Sequence, residues 1–277
     1  MNRKVYDCFM LNNEIDLLDI RLNILNEFVD YFVIIESAET HSGIKKKLTF
    51  DFEKFPKFSG KIIYGVIKKF PKDLTAWEKE NYQRNYISQF LNKADDDDFI
   101  MISDLDEIPN LENINLEKIK KKVIIFQQRL FFYKLNLGEL TPSWHGSRCT
   151  KKKNLKNPQW LRNLKTYKKY KFFRLDKIFF SQTYEHDFRV IENGGWHFTW
   201  MGDRNFIKNK LKSFAHIELN NLEINNDEYI DNCIKNMRSI EQKQKLDLQK
   251  LSLNKDFMPE YILKNLEKYK HMLSGEM

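Results

Sequence analysis

The chain has 277 residues, of which 42% are hydrophobic and 14% aromatic, enough to build a substantial core, so it is globular. Its 47 basic and 39 acidic side chains leave a net charge of +8 and a pI near 9.1, which suits a phosphate-bearing substrate, a polyanion or an anionic membrane surface and selects none of them. Cys8, Cys149 and Cys233 are far apart and odd in number, which argues against a disulfide framework and for a reducing compartment. No long apolar window and no signal-peptide pattern appears, so the expectation is a cytoplasmic protein without a transmembrane segment.

In chain order, Val5 to Met10 reads as a first strand and Asn12-Asn13 breaks it. Ile15, Leu18, Leu22, Leu25 and Val29 then recur at helical spacing. Tyr31 to Ile35 is a continuous apolar run, as expected of a strand covered on both faces, and it ends in Glu36-Ser37. Ile62 to Ile67 is a third strand. Thr75-Ala76-Trp77-Glu78 has the spacing of a capping box, which predicts a helix from Thr75 to about Lys93. Strands alternating with helices in this half predict βαβ units and a mainly parallel sheet.

Phe99 to Ile102 is the next buried strand, and Ser103-Asp104-Leu105-Asp106-Glu107 follows, with Pro109 read as the residue that stops pairing. Carboxylates at the carboxyl end of a buried strand sit where open α/β sheets bind ligands. Period-2 strand geometry puts the side chains of Asp104 and Asp106 on the same side, so they can share one cation, and a hard divalent ion needs only one or two such ligands.

Beyond Pro109 the pattern changes. A short helix near Leu116 to Lys121 leads into expected strands Val123 to Phe126 and Leu130 to Leu135. Thr141 to Asn157 reads as a loop carrying Trp144, His145 and Lys151-Lys152-Lys153. Asn157-Pro158 opens a short helix to Leu164. Phe172 to Phe180 and Phe188 to Ile191 are further strands, Gly194 to Trp200 carries His197, and a helix capped by Asp203 runs to about Ala215. Two charged helices are expected after Asp227, with Pro259 in the first turn of the second.

Several segments carry a resemblance when taken together: Asp7-Cys8-Phe9 with Asn13-Glu14, Asp16-Leu17-Leu18 and Arg21-Leu22; Phe32 to Ser37; Trp77-Glu78 with Asn81 to Asn85; Ser103 to Pro109; and Gly195-Trp196-His197-Phe198. In this order they resemble glycosyltransferase family 17, whose animal members add the bisecting N-acetylglucosamine to N-glycans. The resemblance covers roughly Val5 to Ala215. It implies a GT-A-like nucleotide-sugar-binding domain, a UDP-N-acetylglucosamine donor, Mn²⁺ or Mg²⁺, and inversion at the anomeric carbon. The membrane anchor of the Golgi enzymes has no counterpart here, so the expected acceptor is a glycan, a lipid-linked sugar or a surface polysaccharide, with peripheral contact at the inner face of a membrane. The expected division is a catalytic domain over residues 1–225 and C-terminal helices over 226–277 packed on it.

Within that frame Asp104 and Asp106 form the D-x-D pair, with Asp106 on the metal and Asp104 on metal-bound water or the ribose; His197 is the third metal candidate. Glu36, Ser37, Arg84, Asn85, Asp104 and Trp196 are the donor-binding candidates. Arg84 either meets diphosphate or uracil, or pairs with Glu80 at i,i+4. Gly194-Gly195 is read as allowing close approach of the backbone to a ligand, and Trp200 as a second ring beside His197. An inverting transfer needs a carboxylate base, for which Asp187 and Glu192 are preferred over Glu185. The rival reading is a metal-dependent nuclease or other phosphoryl-transfer enzyme with Lys151-Lys152-Lys153 on nucleic acid. It lacks a second carboxylate cluster, and a non-enzymatic basic module leaves the D-x-D pair unexplained.

Overall fold

Four strands, β1 (Val5–Leu11), β2 (Tyr31–Ser37), β3 (Ile62–Ile67) and β4 (Phe99–Ile102), lie side by side in the order β3-β2-β1-β4, all parallel. In this computed structural model residues 3–166, 185, 187–240 and 248–275 are described, so the strand expected over Phe172 to Phe180 lies outside the described residues. Both faces of the parallel half are covered, which is why β2 and β4 are apolar without alternation. Helix α1 (Ile15–Leu25) buries Leu17, Leu18, Leu22 and Leu25 on one face. Helix α2 (Ala76–Tyr86), a 3₁₀ turn over Ile87–Phe90 and helix α3 (Pro158–Asn163) cover the other with Ile87, Leu91, Trp160 and Leu161. The capping box is complete: Glu78 N–H donates to Thr75 Oγ1 at 3.3 Å, and Thr75 N–H donates to Glu78 Oε2 at 2.8 Å.

The expectation of a mainly parallel sheet does not hold: the sheet is mixed. β5 (Glu107–Pro109), β6 (Val123–Phe132), β7 (Leu137–Glu139) and β8 (Trp144–Lys151) follow, and β8 runs antiparallel to both β4 and β6. β6 to β7 and β7 to β8 are joined by four residues each, too few for the crossover a parallel pair demands. The two strands expected between Val123 and Leu135 are one long strand, whose register against β8 shifts between Ile125 and Gln127. β9 (Phe188–Ile191) and β10 (Gly195–Thr199) are both parallel to β6.

β8 occupies the segment expected to be loop. His145, Ser147, Arg148, Thr150 and Lys151 do not alternate with apolar residues, so local pattern is silent about a strand whose polar groups are satisfied inside the fold. Ser147 Oγ donates to the Glu107 carbonyl at 2.8 Å, and Arg148 donates to the carbonyls of Gly146 and Leu164.

The C-terminal part contains α4 (Arg204–Ser213), α5 (Asp227–Lys235), β11 (Leu248–Lys250) and α6 (Glu260–Lys264). It is more than a helical appendage, because β11 joins the sheet antiparallel to β7. Leu251, Met258, Ile262, Tyr269 and Met272 are buried in the same cluster as the inner face of α1. Asp19 on α1 accepts from Tyr269 and Lys268, and His271 pairs with Asp16 at 2.8 Å. Among the described residues no helix is long and apolar enough to cross a membrane.

Candidate active site

The acidic turn after β4 is held from beneath by a buried cation. Arg21 on α1 makes a two-pronged pair with Asp7 on β1, at 2.8 and 2.6 Å, and both side chains are fully buried. Its other donors go to the carbonyls of Asp104, Leu105 and Glu107 at 2.8–3.1 Å and to Ser103 Oγ. One guanidinium thereby gathers three carbonyls of this stretch around a single buried cation and fixes its path.

That turn separates the two aspartates. Glu107 N–H donates to the Asp104 carbonyl at 3.1 Å, so strand periodicity ends at Ile102 and the two carboxylates acquire different partners. Asp104 Oδ1 accepts from Arg84 at 2.9 Å and Oδ2 from Arg162 at 2.8 Å. Burial works against the Asp104 carboxylate, but Arg162 and Arg84 more than offset it and hold it well below the ordinary range. Asp106 instead faces Lys210 Nζ at 3.5 Å and His197 Nε2 at 3.6 Å. Its carboxyl is also depressed, with burial opposed by Lys210 and then His197. Lys210, on α4, stands 3.5 Å from Glu14 Oε1 as well, and these two carboxylates raise its ammonium above the usual lysine range in spite of its burial.

His197 reaches this place through a strand pairing that involves the proline. Rather than stopping pairing, Pro109 ends the three-residue β5, which pairs antiparallel with β10 and sets His197 opposite Glu107. Phe198 N–H then donates to the Asp106 carbonyl at 2.8 Å. Gly195 sits opposite Pro109 at φ +138°, where a Cβ would come within 2.1 Å of the Ile108 carbonyl oxygen. The close approach that this glycine permits is to β5, not to a ligand. Trp144 lies 4.9 Å from the His197 ring and donates Nε1–H to Glu107 Oε1 at 2.6 Å. Arg162 ties the same oxygen at 2.8 Å, so a single guanidinium bridges Asp104 and Glu107.

These groups line one open cavity of about 990 Å³ at the carboxyl ends of β1, β2 and β4. Ser37, Arg84, Asp104, Asp106, His197 and Trp200 are on its wall. Five expected residues stand elsewhere. Glu36 is buried behind the wall, accepting from Lys46, Thr49, Phe50 and Tyr64. Asn85 Oδ1 accepts from Gln159 N–H at 3.0 Å and ties α3 to α2. Trp196 is buried, with Nε1–H donated to the Phe257 carbonyl at 2.8 Å. Asp187 pairs with Lys121 at the start of β6, seven residues before the Leu130 that faces His197, about 23 Å along an extended strand. Glu192 borders a separate small hollow with Gln127 and Arg129.

The family model for glycosyltransferase family 17 matches residues 1–277. The chain belongs to that family. Curated relatives named beta-1,4-mannosyl-glycoprotein 4-beta-N-acetylglucosaminyltransferase are similar over 127 residues, at 31% identity in Rattus norvegicus and Homo sapiens and 30% in Mus musculus. The matched stretch is 42% of this chain and 24% of each relative, so the chain spans about a quarter of the length of the relatives it matches.

The site's cations are the features that local sequence hid. Arg162 and Lys210 come from helices far along the chain from the acidic turn, and no motif spacing connects them to it. The basic run Lys151-Lys152-Lys153 has partners within the chain: Lys151 and Lys153 both pair with Asp97 at 2.9 Å, and Lys152 Nζ donates to the Ala94 carbonyl.

As a place for a divalent ion the site offers two donors. Asp106 and His197 face each other, and His197 Nδ1 is buried with no hydrogen-bond partner among the described residues. Asp104 is engaged on both oxygens by arginines, and no group of three or more metal-binding side chains occurs among the described residues. The pair fits an ion whose remaining ligands are phosphate oxygens and water, as is usual for Mg²⁺.

Proposed function

We propose that this glycosyltransferase is metal-dependent and inverting, and that it transfers N-acetylglucosamine from UDP-N-acetylglucosamine to a glycan or surface-polysaccharide acceptor. The observation that carries this reading is the meeting of Asp106, His197 and Lys210 at one end of a cavity whose wall also holds Arg84 and Arg162. A departing nucleoside diphosphate gains negative charge as the glycosidic bond stretches, and preformed cations in a partly desolvated cavity offset that charge without reorganisation. Arg162 supplies a planar guanidinium suited to phosphate, and Arg84, buried and bonded to Glu80, Gln159 and Asp104, adds its positive charge from behind. Lys210 stands between Glu14 and Asp106 at distances loose enough to turn toward an entering phosphate. Asp106 and His197 would hold a divalent ion, which when bound polarises the leaving oxygens as a Lewis acid.

Asp104, held by its two arginines, orients both guanidinium groups. The parallel half-sheet with its acidic turn supports a GT-A-like architecture over residues 1–225, with 226–277 closing on it. For the base, the carboxylates on the cavity wall that no arginine holds are, besides Asp106, Glu14 and Glu39. The donor sugar and the mannosyl-type acceptor rest on the names of the relatives.

The test is thermal unfolding of the full chain with Mn²⁺ and a panel of UDP-, GDP- and CDP-sugars, followed by release of free nucleotide. Stabilisation by UDP compounds with metal, abolished in Asp106→Ala, is the expected result. Indifference to every nucleotide, together with salt-sensitive RNA or DNA binding, would return the protein to the phosphoryl-transfer reading.

A further inference from the structure

One aromatic group on the cavity wall has no structural task that its exposure would serve. Trp77, in the first turn of α2, is 46% exposed although it borders the cavity. It shares a helix face with Glu80, Asn81 and Arg84, at i+3, i+4 and i+7, and all four line the cavity. Arg84, at the far end of that stripe, is bonded to Asp104. Seven residues of helix place Trp77 about 10 Å beyond it toward the mouth.

The indole is braced. His216 meets it edge-on, with centroids 4.5 Å apart and planes at 83°, and Glu218 holds the imidazole at 2.8 Å. Phe214 backs His216 at 5.4 Å and stands edge-on to Trp200, also at 5.4 Å. The segment carrying these rings is stitched to the loops after β1 and β2. Ser42 Oγ donates to the Lys212 carbonyl, and Asn12 Nδ2 donates to Ser213 Oγ. Trp77 thus borders the same cavity as Ser37, Thr40 and His41 of the loop after β2, two turns of helix from the Arg84 that holds Asp104.

We propose that Trp77, braced by His216, is the stacking platform for the nucleobase of the donor nucleotide. This rests on the nucleotide-sugar reading above. The cations that suit a diphosphate gather at Asp104 and Asp106, whereas the wall that holds Trp77 adds to its flat apolar face the amide of Asn81 and the imidazole of His41, whose Nε2 is bonded to Gln83 at 2.8 Å. A base presents that same combination, a π face and a polar edge, and an acceptor sugar would instead lie toward His197 and Trp144. Stacking of a base on an aromatic side chain contributes about 1–3 kcal/mol, measured by alanine substitution.

The experiment is calorimetric titration of the 277-residue chain and its Trp77→Ala and Trp77→Phe variants with UDP, uridine and inorganic pyrophosphate, each with Mn²⁺. In Trp77→Ala the UDP and uridine affinities should fall about 5- to 150-fold. Pyrophosphate binding should be unchanged, and Trp77→Phe should recover most of the loss. Equal UDP binding by wild type and Trp77→Ala overturns the platform and leaves the glycosyltransferase reading standing. Loss of pyrophosphate binding in step with UDP also overturns it, because the effect is then on the fold or the phosphate site. If the wild type binds neither UDP nor pyrophosphate, the nucleotide-sugar reading falls with it.

Discussion

Arg21 and Asp7 form a fully buried two-pronged ion pair, and the remaining donors of Arg21 hold the backbone of the turn that carries Asp104 and Asp106. Removing one partner of such a pair leaves an uncompensated charge, so Arg21→Met should cost about 3–5 kcal/mol in urea unfolding. Adding Asp7→Leu should restore part of the stability, since an apolar pair tolerates burial. The turn still lacks its Arg21 donors in the double variant, so protection by UDP and Mn²⁺ should not return.

Asp106→Ala should abolish metal-dependent stabilisation by UDP. A ligand at 100 times its dissociation constant stabilises by about 2.7 kcal/mol, which is the size of the shift that should vanish in a thermal melt. Asp104→Asn should act differently, because its effect runs through Arg84 and Arg162. UDP affinity should weaken while Mn²⁺ binding alone is retained.

Arg162→Ala should lower kcat about 100- to 1000-fold, the range seen when a preorganised donor to developing negative charge is removed. Arg162→Lys should recover part of the loss, because Nη2 alone contacts both Asp104 and Glu107 and an ammonium can donate to two acceptors. Initial rates of nucleotide release at saturating donor provide the measurement.

His41 contributes a pH dependence of stability. Its imidazole is buried against Gln83, and burial lowers its pKa despite the opposing influence of Glu80. The unfolded chain takes up a proton below about pH 6.5 and the folded chain does not, so stability is highest above that pH and declines as pH falls through it. The slope from this group is at most about 1.4 kcal/mol per pH unit. His41→Gln should flatten the fall in melting temperature between pH 7.5 and 5.5. The curve should keep a residual slope, because His145 is lowered in the same direction by burial and Arg148.

Glu36→Gln separates a scaffold role from a nucleotide contact. The carboxylate accepts from four residues and anchors the loop over 46–50, so the variant should lose about 1–3 kcal/mol of stability. UDP affinity, measured by calorimetry, should stay at the wild-type value. A selective loss of UDP binding would instead make Glu36 part of the donor site.

What the sequence by itself determined is what short-range physics controls. The apolar runs of β1, β2 and β4 announce strands covered on two faces, and Thr75 with Glu78 announces the start of α2 through groups three residues apart. The acidic turn stands out because an abrupt change from Ile102 to Ser103-Asp104 is visible in one window. Tertiary structure decided the rest. β8 carries no apolar alternation and is a strand because Glu107, β4 and β6 satisfy its polar groups. Pro109 pairs instead of ending the sheet because Gly195, 86 positions later, offers backbone without a Cβ. The partners of Asp104 and Asp106 come from Arg84, Arg162, His197 and Lys210, up to 104 positions away. Charge pairing acts through space, so the chemistry of the two aspartates was set by residues that no window around them contains.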